Sequence, residues 1–280
     1  MPVHDDLGMR TISHEDNVSK TRLVRRMPVA IRIDGKAFHT FTRGFQKPYD
    51  WFLIRAMQET TKYLCEHIQG CVFGYTQSDE ITLILVDYAK LESCAWFDNE
   101  VQKICSISAS MATMAFNKIW NTNLKEARKV MDDIALGWNT PYQIEEFAEK
   151  YYMRDLEDDW IDFFDYLEIH EKVAGTAMFD ARCFNIPKEE VTNLIYWRQL
   201  DATRNSIQMV GQANFSHREL QGLSCDMIQN QLFEEKGINW NDFPIVAKRG
   251  TAVWKMPEVG WYIDRAMPIL KGECRWYVDH

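Results

Sequence analysis

Apolar residues alternate at Val29, Ile31 and Ile33, the period of a strand with one buried face, and the run stops at Asp34-Gly35. By itself, Asp-Gly after a strand reads as a simple turn. A helical period follows. Leu53, Met57, Thr60, Leu64 and Ile68 share one face, Asp50 suits the N-cap and Gly70 the position just past the end. Two β-rich runs, "CVFGYTQ" and "ITLILVDY", are separated only by Ser78-Asp79-Glu80, which predicts a hairpin with acids at its tip. From about Ser93 to Trp120 the helical period returns, with Val101, Ile104, Ser108, Met111, Ala115 and Ile119 on one face. "GTAMFDARCFNIP" then alternates as a further strand.

The order is strand, helix, strand, strand, helix, strand, which is the split βαβ order of ferredoxin-like folds. It predicts an α+β, palm-type sheet: four antiparallel strands, helices on one face and the other face free. Beyond it, a helix is expected from Pro187 to about Met209, a capping box at Ser216–Glu219, a helix ending near Gly237 and a late hairpin in "GTAVWKMPEVGWYIDRAMPIL". We expect one catalytic unit over residues 1–280. Its palm core is 28–120 and 174–186, its acidic helical insert 121–173, and its C-terminal helices and hairpin 187–280.

Composition narrows the function classes. The net charge of −9 argues against non-specific coating of nucleic acid but allows a local basic groove, for which Arg22, Arg25, Arg26 and Lys248-Arg249 are candidates. The seven cysteines are scattered without metal spacing and read as reduced core residues. The polar N-terminal segment and the lack of any long apolar run predict a cytoplasmic chain with no membrane contact.

The carboxylates carry the chemistry. In the split order the end of the first strand meets the hairpin tip, so Asp34 and Asp79 converge. Asp79 and Glu80 are adjacent and should point to opposite faces, and Asp79 is the one expected beside Asp34. Two carboxylates at such a point suit two Mg²⁺ ions, which take few protein ligands and fill the rest with water and phosphate oxygens. Gly35 allows close backbone approach, and the amides of Gly35, Lys36, Ala37, Phe38 and His39 could curve around a triphosphate, with Lys36, Lys47 and Ser78 serving the same phosphates. Each acid alone reads more readily as a solvated turn, and His39 equally well as a structural residue; it is the acids together, in the split order, that point to a two-metal site.

"RIDGKAFHTF", "FQKPYD", "GYTQSDE", "WRQLDATRNS" and "KRGTAVW" occur in this order and resemble the motifs of the tRNA-His guanylyltransferase family and its Thg1-like relatives. The resemblance runs from about Pro28 to Lys255 and leaves out the acidic insert, roughly Asn121 to Val173. It implies a palm fold that works in the reverse direction. The 5′ end of a tRNA is activated with ATP, and the 3′-hydroxyl of GTP or another nucleoside triphosphate then attacks it.

Position by position, the resemblance makes Asp34, Asp79 and the Gly35 carbonyl metal ligands, and Glu80 a third acid needed for activity. It implies nucleotide contacts at Arg32, His39, Lys47, Asp50 and Ser78, and phosphate or tRNA contacts at Lys248 and Arg249. It also implies a homotetramer. One departure matters. Where enzymes that add the extra guanosine to tRNA-His carry His-Ile-Asn-Asn-Leu-Tyr-Asn, this chain has Thr203-Arg204-Asn205-Ser206-Ile207-Gln208-Met209. Only Asn205, and the apolar character at Ile207, persist, which favours the template-dependent, tRNA-repairing branch over guanosine addition to tRNA-His. A purine nucleotide cyclase on the same palm and a non-catalytic RNA-binding protein are the rivals.

Overall fold

The computed structural model describes residues 6–16, 20–137 and 160–271. Its elements are α1 (Asp6–Asp16), β1 (Val29–Gly35), α2 (Phe38–Phe41), α3 (Trp51–His67), β2 (Cys71–Gln77), β3 (Glu80–Leu85), α4 (Val101–Ala135) and α5 (Trp160–Lys172). There follow β4 (Phe179–Asn185), α6 (Val191–Asn214), α7 (His217–Leu220), α8 (Cys225–Lys236), α9 (Ile245–Arg249), β5 (Thr251–Met256) and β6 (Gly260–Asp264).

The strand order is β4-β1-β3-β2-β5-β6, and every neighbouring pair is antiparallel. The expected four strands are there in ferredoxin-like order, but the sheet does not stop with them. The late hairpin adds two strands, because β5 pairs with the outer edge of β2 through Thr76↔Thr251 to Phe73↔Trp254. An edge strand presents unpaired amides and carbonyls, and β5 satisfies those of β2.

Alternation sorts the strands onto two faces. Val29, Ile31, Ile33, Ile81, Leu83 and Leu85 point to the face covered by α3 and α4, where Phe52, Met57, Leu64, Ile104, Phe116 and Trp120 complete the main core. The opposite face was expected to be free and is not. Ala30, Phe73, Tyr75, Ile84 and Ala252 are covered there by Val191 and Ile195 of α6 and by Met267 and Leu270 after β6. The physical reason is plain: these strand residues are themselves apolar and fully buried, so something had to cover them.

The second long helix also differs from expectation. It starts at Val101, after a short 3₁₀ turn at Trp96–Asn99, and passes Trp120 to reach Ala135. Leu124, Ala127 and Met131 are buried against the main core, so the chain shows no boundary at Asn121. The centre of the acidic insert, 138–159, lies outside the described residues. Its returning helix, α5, contributes Leu167 and a fully buried His170.

His170 is the clasp of this part of the fold. Its Nδ1 donates to the Tyr166 carbonyl at 2.6 Å and its Nε2 meets Asp50 Oδ2 at 2.9 Å. Its ring stacks on Phe45 at 4.3 Å and lies 5.4 Å from Trp120, whose Nε1 donates to the His170 carbonyl at 3.1 Å. Asp50 in turn caps α3, accepting from Leu53 N at 2.9 Å. A buried hydrogen bond onto a carboxylate is costly to break on one side only. We predict that His170→Phe destabilises the protein by about 3 kcal/mol in urea unfolding, because Asp50 is left buried without its partner. An unchanged unfolding midpoint would mean that α5 merely rests on the core.

Candidate active site

The register of the sheet assembles the site. Asp34 is the penultimate residue of β1, and its Cα partners are Glu80 on β3 and Asp180 on β4. Residues paired across adjacent strands share a face, so all three carboxylates stand on the same side of the sheet. The hairpin between β2 and β3 is tighter than expected: only Ser78 and Asp79 form the turn, and Glu80 already pairs with Gln77. Ser78 takes a positive φ of 51°, which the first position of a mirror-image two-residue turn requires. Gly35 N donates to the Asp79 carbonyl at 3.1 Å, tying the end of β1 to that turn.

Asp34 and Glu80 are therefore set side by side with Asp79 in the adjoining turn, although among the described residues no three acidic, histidine or cysteine side chains form a metal-holding cluster. Asp79 was expected beside Asp34 in preference to Glu80, but the register sets Glu80 directly across from Asp34, and the charges of both reach Asp79 in the turn. Their situations differ. Glu80 is neutralised by Arg32 Nη2 on Oε1 and by Arg198 Nη1 on Oε2 at 2.7 Å, with Gln77 Nε2 at 3.4 Å. Asp34 has a looser ion pair, with Arg32 Nη2 at 3.6 Å, and the more distant charge of Arg182. Burial, then the charge of Glu80, pushes the Asp34 carboxyl above the ordinary carboxylate range, against the pull of Arg32. Burial also pushes Asp79 up, against a hydrogen bond from Ser78 Oγ at 3.0 Å. Two acids with this excess of negative charge are a donor set that fits a hard divalent cation.

Beside the carboxylates lies a cleft of about 70 Å³ floored by Leu53, Ile54, Met209 and Val246, with Gln77, Ser78 and Asn205 on its walls. An apolar floor with few polar groups suits a planar ring such as a nucleobase. Ser206 lines it too, but its Oγ is held by Tyr49 Oη at 2.6 Å and Trp240 Nε1 at 2.9 Å. Gly250 closes one end with φ 82°; a Cβ there would come within 2.5 Å of the Thr76 carbonyl.

The remaining expected residues divide. Lys36, His39 and Lys47 are exposed beside α2 and the loop after it. Ala37 is left-handed at φ 54° and starts α2. Phe38 turns away from the loop into the core, stacking on Phe41 at 4.8 Å and lying 5.2 Å from Phe179. This gives Gly35 a reason beyond close approach to phosphate, since a Cβ on it would lie 2.4 Å from the Phe38 ring. Asp50 lines the cleft, yet its carboxylate is committed to the α3 cap and to His170. Asn205 donates to Asp201 at 3.4 Å.

The basic candidates are more scattered. Lys248 is buried, bonded to the Asn241 carbonyl at 2.5 Å and 5.3 Å from the Trp240 ring, and burial lowers its pKa. The Arg249 carbonyl accepts from Tyr75 Oη at 2.7 Å. Arg25 pairs with Asp98, and Arg26 bonds Asp87 through its amide and its guanidinium, both before the start of β1 and thus at the strand end away from Asp34.

Comparison with known proteins decides the family. The family model described as "tRNAHis guanylyltransferase", Thg1, matches residues 9–187. The chain belongs to the Thg1 family. A bacterial Thg1-like protein in complex with ATP is 37% identical, with a TM-score of 0.74 over 98% of this chain and 100% of that one. A bacterial Thg1-like protein in complex with GTP is 35% identical, with a TM-score of 0.70 over 98% and 97%. Among curated proteins, a probable tRNA(His) guanylyltransferase of Dictyostelium discoideum is 23% identical over 92% of this chain and 86% of its own length. This Thg1-family member is thus a nucleotidyltransferase on a palm-like α+β fold. Among its described residues no helix is long and apolar enough to cross a membrane.

The roles of two residues of this Thg1 chain escaped the sequence reading: Arg198, which lies within the quoted WRQLDATRNS motif, and His170. Arg198 left a signal, because it falls on the same helical stripe as Val191, Ile195 and Ala202, where a charge is out of place.

The raised Asp34 and Asp79 pKa values carry a sign. The folded chain holds these protons more tightly than the unfolded chain, so stability falls as pH rises from the ordinary carboxylate range through the raised folded values. At neutral pH both charges oppose folding. Asp34→Asn and Asp79→Asn should each raise the melting temperature of metal-free protein at pH 7, by about 2–4 °C, with the gain fading toward about pH 4. A lower melting temperature in both variants would show that the carboxylates are stabilised in the free protein.

Proposed function

We propose that the chain is a Mg²⁺-dependent, template-directed 3′–5′ nucleotidyltransferase that repairs the 5′ end of tRNA, using ATP or GTP to activate that end. The observation that supports this is the tie between the end of β1 and the β2–β3 turn, where the Gly35 amide bonds the Asp79 carbonyl one residue from Asp34, next to a largely apolar cleft that Ser78 helps to line. The ATP and GTP complexes of the Thg1-like relatives support the choice of substrates. The Thr203–Met209 segment, which departs from the guanosine-adding pattern, supports the templated branch.

Mg²⁺ would be held by Asp34, Asp79 and the Gly35 backbone, and it supplies Lewis-acid charge for the reacting phosphate and the leaving pyrophosphate. The chain's own residues do the rest. The Leu53, Ile54, Met209 and Val246 floor takes the base and excludes water from one of its faces. Ser78 orients Asp79 through its hydroxyl, and the Asp79 carbonyl fixes the Gly35 amide. Lys36 and Lys47, exposed before and after α2, provide positive charge for the triphosphate, and His39, exposed on α2, a polar ring. Watson–Crick pairing with the opposite tRNA strand selects the incoming base, so the protein reads shape and the 5′ end.

The family's own description favours a second reading, guanosine addition to tRNA-His. One assay separates the two. A 5′-truncated, 5′-phosphorylated tRNA is incubated with ATP, Mg²⁺ and each nucleoside triphosphate in turn. We expect incorporation that follows the template base, reduced at least ~10³-fold in Asp34→Ala. Faster untemplated guanosine addition to full-length tRNA-His would select the second reading. Extension that survives Asp34→Ala would overturn the assignment of the centre.

A further inference from the structure

Glu80 stands beside the acids of the site with both of its oxygens already engaged. It stands directly across from Asp34 on the same face, and its charge reaches both Asp34 and Asp79. Both of its oxygens are nevertheless engaged by guanidinium groups, Oε1 by Arg32 and Oε2 by Arg198. Arg32 comes from the neighbouring strand. Arg198 comes from α6, 118 residues along the chain, and its side chain is only 5% exposed.

The environment of Arg198 is otherwise unsuited to a cation. It sits between Ile195 and Ala202 on the buried side of α6. Its guanidinium lies 3.7 Å from the Trp197 ring, a stacking surface that tolerates a desolvated cation. The Nε atoms of both Arg198 and Arg32 are buried without a hydrogen-bond partner. Leaving such donors unmet is unfavourable, and the ion pairs with Glu80 offset that cost. The two arginines are aimed at Glu80 at the expense of their own hydrogen bonding.

We propose that Arg198 is a positioning residue: with Arg32 it holds Glu80 out of the divalent-cation centre, so that the centre works with two carboxylates instead of three. This rests on the reading of Asp34 and Asp79 as that centre. Affinity for a hard cation rises with the number of charged oxygen ligands, so a restrained Glu80 keeps the cation exchangeable. It also leaves Arg32 in place beside Asp34, with Nη2 at 3.6 Å from Oδ2. A merely structural Arg198 predicts the reverse: its loss would loosen the site and weaken metal binding.

The test is Mn²⁺ binding to the full chain without nucleotide, followed by the loss of the free-ion electron paramagnetic resonance signal, with melting curves to establish folding. Arg198→Met frees Glu80 Oε2 and removes one positive charge, and Mn²⁺ should bind roughly tenfold more tightly. Arg198→Lys keeps the charge and should stay within about threefold of the unaltered chain. Adding Glu80→Gln to Arg198→Met should return binding to near the starting value, because the freed carboxylate is then absent. Where Arg198→Met does not fold, Arg198→Gln removes the same charge while keeping a polar group, with the same expectation. Unchanged or weaker Mn²⁺ binding in the folded, charge-removing variant overturns the proposal. An unaltered chain that binds no Mn²⁺ overturns the reading of the centre, and the clamp falls with it.

Discussion

The antiparallel register of β1 against β3 is the constraint on which the site depends. It sets Asp34 opposite Glu80, and the hydrogen bond from the Gly35 amide to the Asp79 carbonyl adds the third acid. A slip of one residue would turn the Val29, Ile31 and Ile33 set out of the core and the acid into it, so the apolar face that stabilises the sheet also enforces the chemistry. Packing and catalysis are therefore not separable along this strand. The same residues that bury its odd positions aim its even ones, Arg32 and Asp34, at the site.

That register concentrates negative charge, and the structure handles the three acids differently. Glu80 is neutralised within the protein by two arginines. Asp34 and Asp79 are left in mutual repulsion and partly desolvated, which disfavours the free protein and favours a bound cation. The loop that leaves β1 is fixed from below, where Phe38 drops into the aromatic core with Phe41, Phe116 and Phe179. On the far side of the cleft, His170 and Asp50 pin the start of α3 to the returning helix of the insert. Rigid supports on both sides of a strained charge centre are what preorganised phosphate chemistry requires.

Much of this was legible in the chain itself. Period-2 runs located β1, β2, β3 and β4, and Asp50, Ser216 and Gly237 marked helix ends through local chemistry that leaves a local trace. The meeting of Asp34 with the hairpin tip followed from strand order. What was not legible depends on partners distant in sequence. Val191 and Ile195 announce a buried face without saying that it covers the second side of the sheet. The late hairpin reads the same whether it stands alone or extends β2. The Arg198–Glu80 and His170–Asp50 pairs span 118 and 120 residues; the charge on the apolar stripe of α6 marks Arg198 as unusual but does not name its partner.

The central claim is that Asp34 and Asp79, and not Glu80, form the divalent centre of a nucleotidyltransferase. The most direct measurement is the anomalous diffraction of a crystal grown with Mn²⁺ and a non-hydrolysable nucleoside triphosphate. The account predicts manganese peaks in contact with the Asp34 and Asp79 carboxylates, the base in the cleft between α3 and α6, and Glu80 still bonded to Arg32 and Arg198. Manganese ligated by Glu80, or a nucleotide bound without metal at Asp34 and Asp79, would contradict it.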